Sequence, residues 1–140
     1  MIRMRKEQYQ AFLEHAVRVL PDEACALLGG TIQGSDKIIE KVYIVKNIDA
    51  SNEHFSMDPR EQLTAVREMR KSGYVQIGNI HSHPETPSRP SEEDKRLAYD
   101  SQASYLILSL ADLQNPVVKA FRIQEQTEVT LEELELFTEI

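Results

Sequence analysis

Two of the four histidines in the chain stand one residue apart, in the stretch HSHPETPSRPSEED that runs from position 81 to 94. Residues i and i+2 of an extended strand project from the same face, so His81 and His83 can aim both rings at one point. Zinc takes imidazole nitrogens at about 2.0–2.1 Å, and such a pair supplies two of its ligands. A third is needed, and Asp94, in the first turn of a helix expected after the Pro-rich turn, can swing its carboxylate back toward the strand end. Three protein ligands with a position left for water is the coordination of a catalytic rather than a structural zinc. A second reading stays open on the same residues: Ser91-Glu92-Glu93-Asp94 fits the pattern [ST]-x-x-[DE], in which Ser91 caps the helix and Asp94 reaches back to the N–H of the cap. His-x-His alone also serves packing and hydrogen bonding. What favours a metal is the two features together, joined by Pro84 and a spacer of fixed length.

The elements that must hold these residues follow from periodicity. In KEQYQAFLEHAVRVL, Tyr9, Phe12, Leu13, Ala16, Val17 and Leu20 form the stripe of a helix with one buried face, stopped by Pro21. EACALLGG reads as a short strand turning at Gly29-Gly30, and KIIEKVYIVKNI as a longer strand, together a hairpin. After the loop DASNEHFSM, Asp58 and Pro59 mark a helix start, Leu63, Val66 and Met69 or Arg70 carry its pattern, and Gly73 ends it. YVQIGNIHSH is a strand with Val75, Ile77, Asn79, His81 and His83 on one face. A third helix is expected from Ser91 to about Asp100. SYLILSLAD and VVKAFRIQ read as strands, and TEVTLEELELF as a strand or a helix. The expected architecture is α/β: one domain over residues 1–140, with a mixed or mostly antiparallel sheet flanked by helices.

Composition narrows the chemistry. With one cysteine, Cys25, no internal disulfide and no multi-thiolate zinc site can form, so any metal must be held by His and carboxylate. Cys25 itself reads as a small buried thiol on the strand face shared with Glu23. A net charge of −7 argues against a nucleic-acid partner, whose phosphates call for Lys and Arg. No stretch approaches the roughly 20 apolar residues of a membrane span, and MIRMRKEQYQ has no apolar region behind its basic residues, so no signal peptide is expected and the cytoplasm is the default location. The single thiol excludes the Cys pair of zinc nucleobase deaminases. The barrel of the amidohydrolases, which also carry His-x-His, needs about 250 residues. His15 reads as a surface residue and His54 as a rim residue.

His81-Ser82-His83-Pro84, six residues, then Ser91-Glu92-Glu93-Asp94 resembles the full signature of the JAMM (MPN-plus, Mov34-type) zinc metallopeptidases, H-[ST]-H-P-x6-S-x-x-D. PDEACALLGG resembles the family's P-x-E-x-C-G-L-L-x-G strand, with Ala26 in place of the usual Gly, and FSMDPREQL resembles the segment opening its second helix. The resemblance touches residues from about 21 to 110 and is closest to the small stand-alone prokaryotic type. It implies a cytidine-deaminase-like fold, one Zn2+ held by His81, His83 and Asp94, Glu23 as general acid–base, and Ser91 near the zinc-bound water, where its hydroxyl can donate to the carbonyl oxygen as it becomes an oxyanion. It further implies hydrolysis of an amide bond after the C-terminal Gly-Gly of a ubiquitin-like or sulfur-carrier protein, releasing residues or a cysteine adduct. The other reading is a non-catalytic MPN-type scaffold, which keeps the fold and lacks the metal.

Overall fold

Ile2 and Met4 alternate with Arg3 and Arg5, and both apolar side chains are fully buried. This run is a strand, β1 (Ile2–Arg5), too short for periodicity to single out. The computed structural model describes residues 1–139. After β1 come α1 (Lys6–Arg18), β2 (Cys25–Gln33), β3 (Asp36–Val45), α2 (Pro59–Lys71), β4 (Val75–His83), α3 (Glu92–Arg96), β5 (Ser104–Ser109), β6 (Val117–Gln124), β7 (Glu128–Glu132) and β8 (Leu134–Phe137). The strands form one sheet in the order β7-β6-β5-β4-β2-β3-β1-β8. It is mixed: β1 runs parallel to β3 and β8, β4 runs parallel to β5, and the other pairs are antiparallel.

Helices cover both faces, as the α/β reading expects. Phe12 and Ala16 of α1 sit on a layer that includes Ala26, Leu28, Ile80, Leu106 and Leu108. Ala65 and Met69 of α2 sit on Leu27 and Tyr43 on the opposite face. Each fully buried Leu, Ile or Phe contributes roughly 1.5–3 kcal/mol. The Ile80–Leu106–Leu108 layer beneath the histidine strand is thus enough to fix β4 against β5 in a single register.

Several expectations are corrected. The chain does not turn at Gly29-Gly30. β2 runs on to Gln33, and the hairpin turns at Gly34-Ser35, where Gly34 takes φ 63°. Gly29 and Gly30 sit at a register shift within the strand, and a Cβ on Gly30 would lie 1.9 Å from the carbonyl oxygen of Ile38. Their role is close backbone approach, not a turn. β4 does not alternate strictly: its register against β2 shifts between Leu28 and Gly29, and Ile77 packs with Ile80 instead of with the histidines. α3 ends at Arg96 rather than Asp100, because Asp100 is spent on a turn, its carboxylate accepting from the N–H of Gln102. Val17 and Leu63, expected on buried stripes, face solvent. The terminal segment forms two strands, of which β8 returns to pair with β1.

Candidate active site

His81 and His83 end β4, whose last residues are locked between β2 and β5. Both histidines are buried. Ser82, between them, points to the opposite face, where its hydroxyl accepts the N–H of Ala24 at 2.8 Å and its own N–H donates to the carbonyl of Ala24 at 3.0 Å. That clamp fixes the segment carrying Glu23 beside the histidine pair. Glu23 is pinned further by its N–H donating to the carbonyl of Ser51 and by the Asn47 amide donating to its carbonyl. Ser82 is marked in the sequence only as the [ST] position of the family signature, and Asn47 by no spacing rule, since each acts through contacts that only folding creates.

Asp94 arrives from the other side. Ser91 Oγ accepts the N–H of Asp94 at 3.0 Å, and Asp94 Oδ2 accepts the N–H of Ser91 at 2.9 Å, the reciprocal pair of a capping box. The same Oδ2 lies 3.3 Å from His81 Nε2 and 3.0 Å from His83 Nε2, and the two Nε2 atoms are 3.1 Å apart. The cap and the ligand readings are therefore not alternatives: the capping box is what aims the carboxylate at the rings.

This triangle fits a zinc ion. Bonds of 2.0–2.1 Å at tetrahedral angles place ligand atoms about 3.3 Å from one another, close to the spacings found. His83 Nδ1 lies 3.0 Å from the carbonyl oxygen of Pro87, a partner that can only accept, so Nδ1 carries a hydrogen and Nε2 is the ring atom turned toward the Asp94 carboxylate. Burial acts to raise the Asp94 carboxyl, but its contacts with His81 and His83 outweigh that and hold it far below the usual carboxylate range. His81, His83 and Asp94 together could hold a metal ion.

Glu23 is 3 % exposed, and its Oε1 has no hydrogen-bond partner in the described structure. Burial, with Asp94 and Glu93 adding repulsion, pushes its carboxyl up to about 8. Glu23 shares a cleft of about 860 Å³ with His83, Ser91, His54 and several exposed glutamates. His54 thus lies at the rim, as expected, and meets Asp49 at 3.2 Å. His15, on α1, is half-buried rather than freely exposed, its ring 6.5 Å from that of Phe12. Cys25 is fully buried and donates to the carbonyl of Val45, outside the metal triangle. Phe55, the first residue of FSMDPREQL, packs its ring 4.7 Å from that of His81.

The chain is 33% identical over 120 residues, 86% of its own length and 81% of the relative's, to the CysO-cysteine peptidase of Mycobacterium tuberculosis. It is 29% identical over 90 residues, 64% of its length and 63% of the relative's, to the desampylase of Haloferax volcanii. The solution structure of protein DSY2949 from Desulfitobacterium hafniense superposes with a TM-score of 0.90 at 56% identity, covering 100% of this chain and 95% of that one. The family described as prokaryotic homologs of the JAB domain matches residues 5–124. This chain, with its His-x-His strand end facing a capped aspartate, belongs to that prokaryotic JAB (JAMM/MPN) family.

Proposed function

We propose that the protein is a zinc-dependent peptidase that hydrolyses the amide bond after the C-terminal Gly-Gly of a ubiquitin-like or sulfur-carrier protein. The observation carrying this reading is the triangle of His81 Nε2, His83 Nε2 and Asp94 Oδ2, closed at 3.0–3.3 Å, the spacing that tetrahedral zinc ligands need. The names of the related CysO-cysteine peptidase and desampylase support the substrate class. The unit of function proposed is residues 1–140 as one metallopeptidase domain. The lone thiol suits a reducing compartment, so the proposed location is the cytoplasm.

Zinc, when bound, supplies a Lewis acid and lowers the pKa of water toward about 7. The protein's own groups do the rest. Glu23, whose carboxyl is buried with one oxygen unpaired, would take a proton from water and return it to the departing amine. Its raised pKa suits a group that must hold the proton between those steps, and the positive charge of a cation at the triangle offsets the repulsion from Asp94. Ser91 Oγ accepts from the Asp94 N–H, which leaves its own hydrogen free to donate to the substrate carbonyl oxygen as charge develops there. A Gly-Gly tail brings no side chains to exclude from the cleft. The His83 ring is held by the Pro87 carbonyl and the Asp94 carboxylate by the capping box, so neither has to reorganise to bind.

The test has two stages. Elemental analysis of the native protein should give about one zinc per chain, absent in His81→Ala. The zinc-loaded protein should then release residues from an extended Gly-Gly carrier, and Glu23→Gln should keep the metal while losing this activity by 10²-fold or more. A native protein that neither carries nor takes up zinc would instead make the domain a scaffold.

A further inference from the structure

A second cavity meets the metal triangle, and it shares no lining residue with the glutamate-lined cleft. His81 and Asp94 form part of its wall, and neither Glu23 nor Ser91 lines it. The remaining lining is Phe55, Leu97, Tyr105, Ile107 and Ile123, with Asn79 as the polar exception. Its origin is topological. β5 and β6 place Tyr105 opposite Phe121 and Ile107 opposite Lys119, on the sheet face that carries His81, while α2 covers only the β2–β3–β4 part of that face. α3 stops at Arg96, so Leu97 overhangs the gap as a half-exposed lip instead of closing it.

Inside this apolar wall Asn79 Oδ1 is buried and has no hydrogen-bond partner. His81 Nδ1, two residues on and on the same face of β4, is likewise buried and unpaired. Unpaired buried polar atoms cost free energy and call for a partner that enters with the ligand. Apolar walls, by contrast, penalise any charged occupant.

We propose that this cavity is the subsite for the side chain of the residue released from the carrier, and that it selects an uncharged side chain of up to about leucine size, with a hydrogen-bond donor such as a hydroxyl or thiol favoured over its apolar isostere. This rests on the peptidase reading above. Under that reading the residue on the acyl side of the cut bond is glycine, which has no side chain, so only the residue on the amine side can fill a pocket that shares walls with the metal site. Ile107 and Ile123 form the apolar lining, Asn79 Oδ1 accepts from the donor, and Leu97 sets the width of the mouth.

The experiment uses a ubiquitin-like carrier domain whose Gly-Gly terminus is extended by one residue: Leu, Thr, Val, Asp or Lys. The expected kcat/KM is at least 10-fold higher for Leu and Thr than for Asp and Lys, with Thr above Val, and Asn79→Leu should reverse the Thr/Val order. Leu97→Trp, which narrows the mouth, should lower the ratio of kcat/KM for Leu to that for Asp. Independently of turnover, zinc-loaded Glu23→Gln is titrated with acetyl-Gly-Gly-Leu and acetyl-Gly-Gly-Asp. The methyl resonances of Ile107 and Ile123 should shift with the first peptide and not the second. Equal kcat/KM across the series, a preference for a carrier joined to the side-chain amine of lysine, or methyl resonances unmoved by the leucine peptide would each overturn the assignment. If no carrier is cut, the peptidase reading fails, and the methyl shifts alone then decide whether the cavity takes an apolar side chain.

Discussion

At the scale of single residues, the site depends on atoms that serve two purposes. Asp94 Oδ2 closes both the capping box and the metal triangle, so Asp94→Asn should abolish zinc binding in elemental analysis and also weaken the start of α3. Ser91 separates the two roles. Under the proposed mechanism Ser91→Ala should retain zinc, lose about 1 kcal/mol of stability through the lost cap, and slow turnover about 10²-fold. Measured together, metal content, urea midpoint and kcat distinguish this from simple loss of the site. Cys25 gives a pH prediction. Burial, reinforced by Glu23 and Glu61, pushes its thiol from 9.0 up to about 12. Between those values the folded protein keeps a proton that the unfolded chain releases, so stability falls as pH rises, by up to about 1.4 kcal/mol per pH unit from this group. Urea midpoints at successive alkaline pH values should show a smaller fall in Cys25→Ala than in the parent, and the native thiol should resist alkylation at pH 8.

At the scale of elements, the histidine strand is held by glycines that exclude a Cβ. One on Gly78 would fall 1.8 Å from the carbonyl oxygen of Ser104, and one on Gly30 would fall 1.9 Å from that of Ile38. Both obstacles are backbone atoms of a paired strand, which cannot yield as a flexible side chain can. Gly78→Ala and Gly30→Ala should therefore fail to fold or lose several kcal/mol in urea denaturation, among the large effects reserved for disrupted cores. Gly34→Ala should lose only about 1 kcal/mol, because nothing lies within 4 Å and the only penalty is the φ of 63°. The contrast tests whether the glycines of β2 and β4 are there for space or for backbone freedom. The two-residue turn at Gly34-Ser35 needs the second; the sheet interior needs the first.

At the scale of the whole molecule, three segments far apart in the chain converge at one point: the end of β4, the first turn of α3 and the stretch before β2 that carries Glu23. A ligand bridging two of them couples metal binding to global stability. At free zinc 100-fold above its dissociation constant, the folded state should gain about 2.7 kcal/mol, visible as a higher thermal midpoint that a chelator reverses. His81→Ala should show no response to zinc or chelator. The described residues include no helix long and apolar enough to cross a membrane.

Local rules determined much of this protein by themselves. The spacing of His81, His83, Ser91 and Asp94, the Asp58-Pro59 start of α2 and the apolar stripe of α1 are all set within a few residues by strand and helix geometry, which is why they could be read directly. Glu23 was legible only through a family pattern, since an acid after a helix stop has no local signature; its burial comes from Ser82, Ser51 and Asn47, which folding brings to it. The four-residue β1, the continuation of β2 through two glycines, the shift that turns Ile77 away from the histidines and the split of the last segment into β7 and β8 were decided by pairing partners elsewhere in the chain. So was the apolar cavity beside the metal triangle, whose walls come from the loop before α2, from β4, β5 and β6, and from the end of α3. Periodicity reports what one segment needs to bury, whereas cavities and strand registers depend on what the other segments leave uncovered.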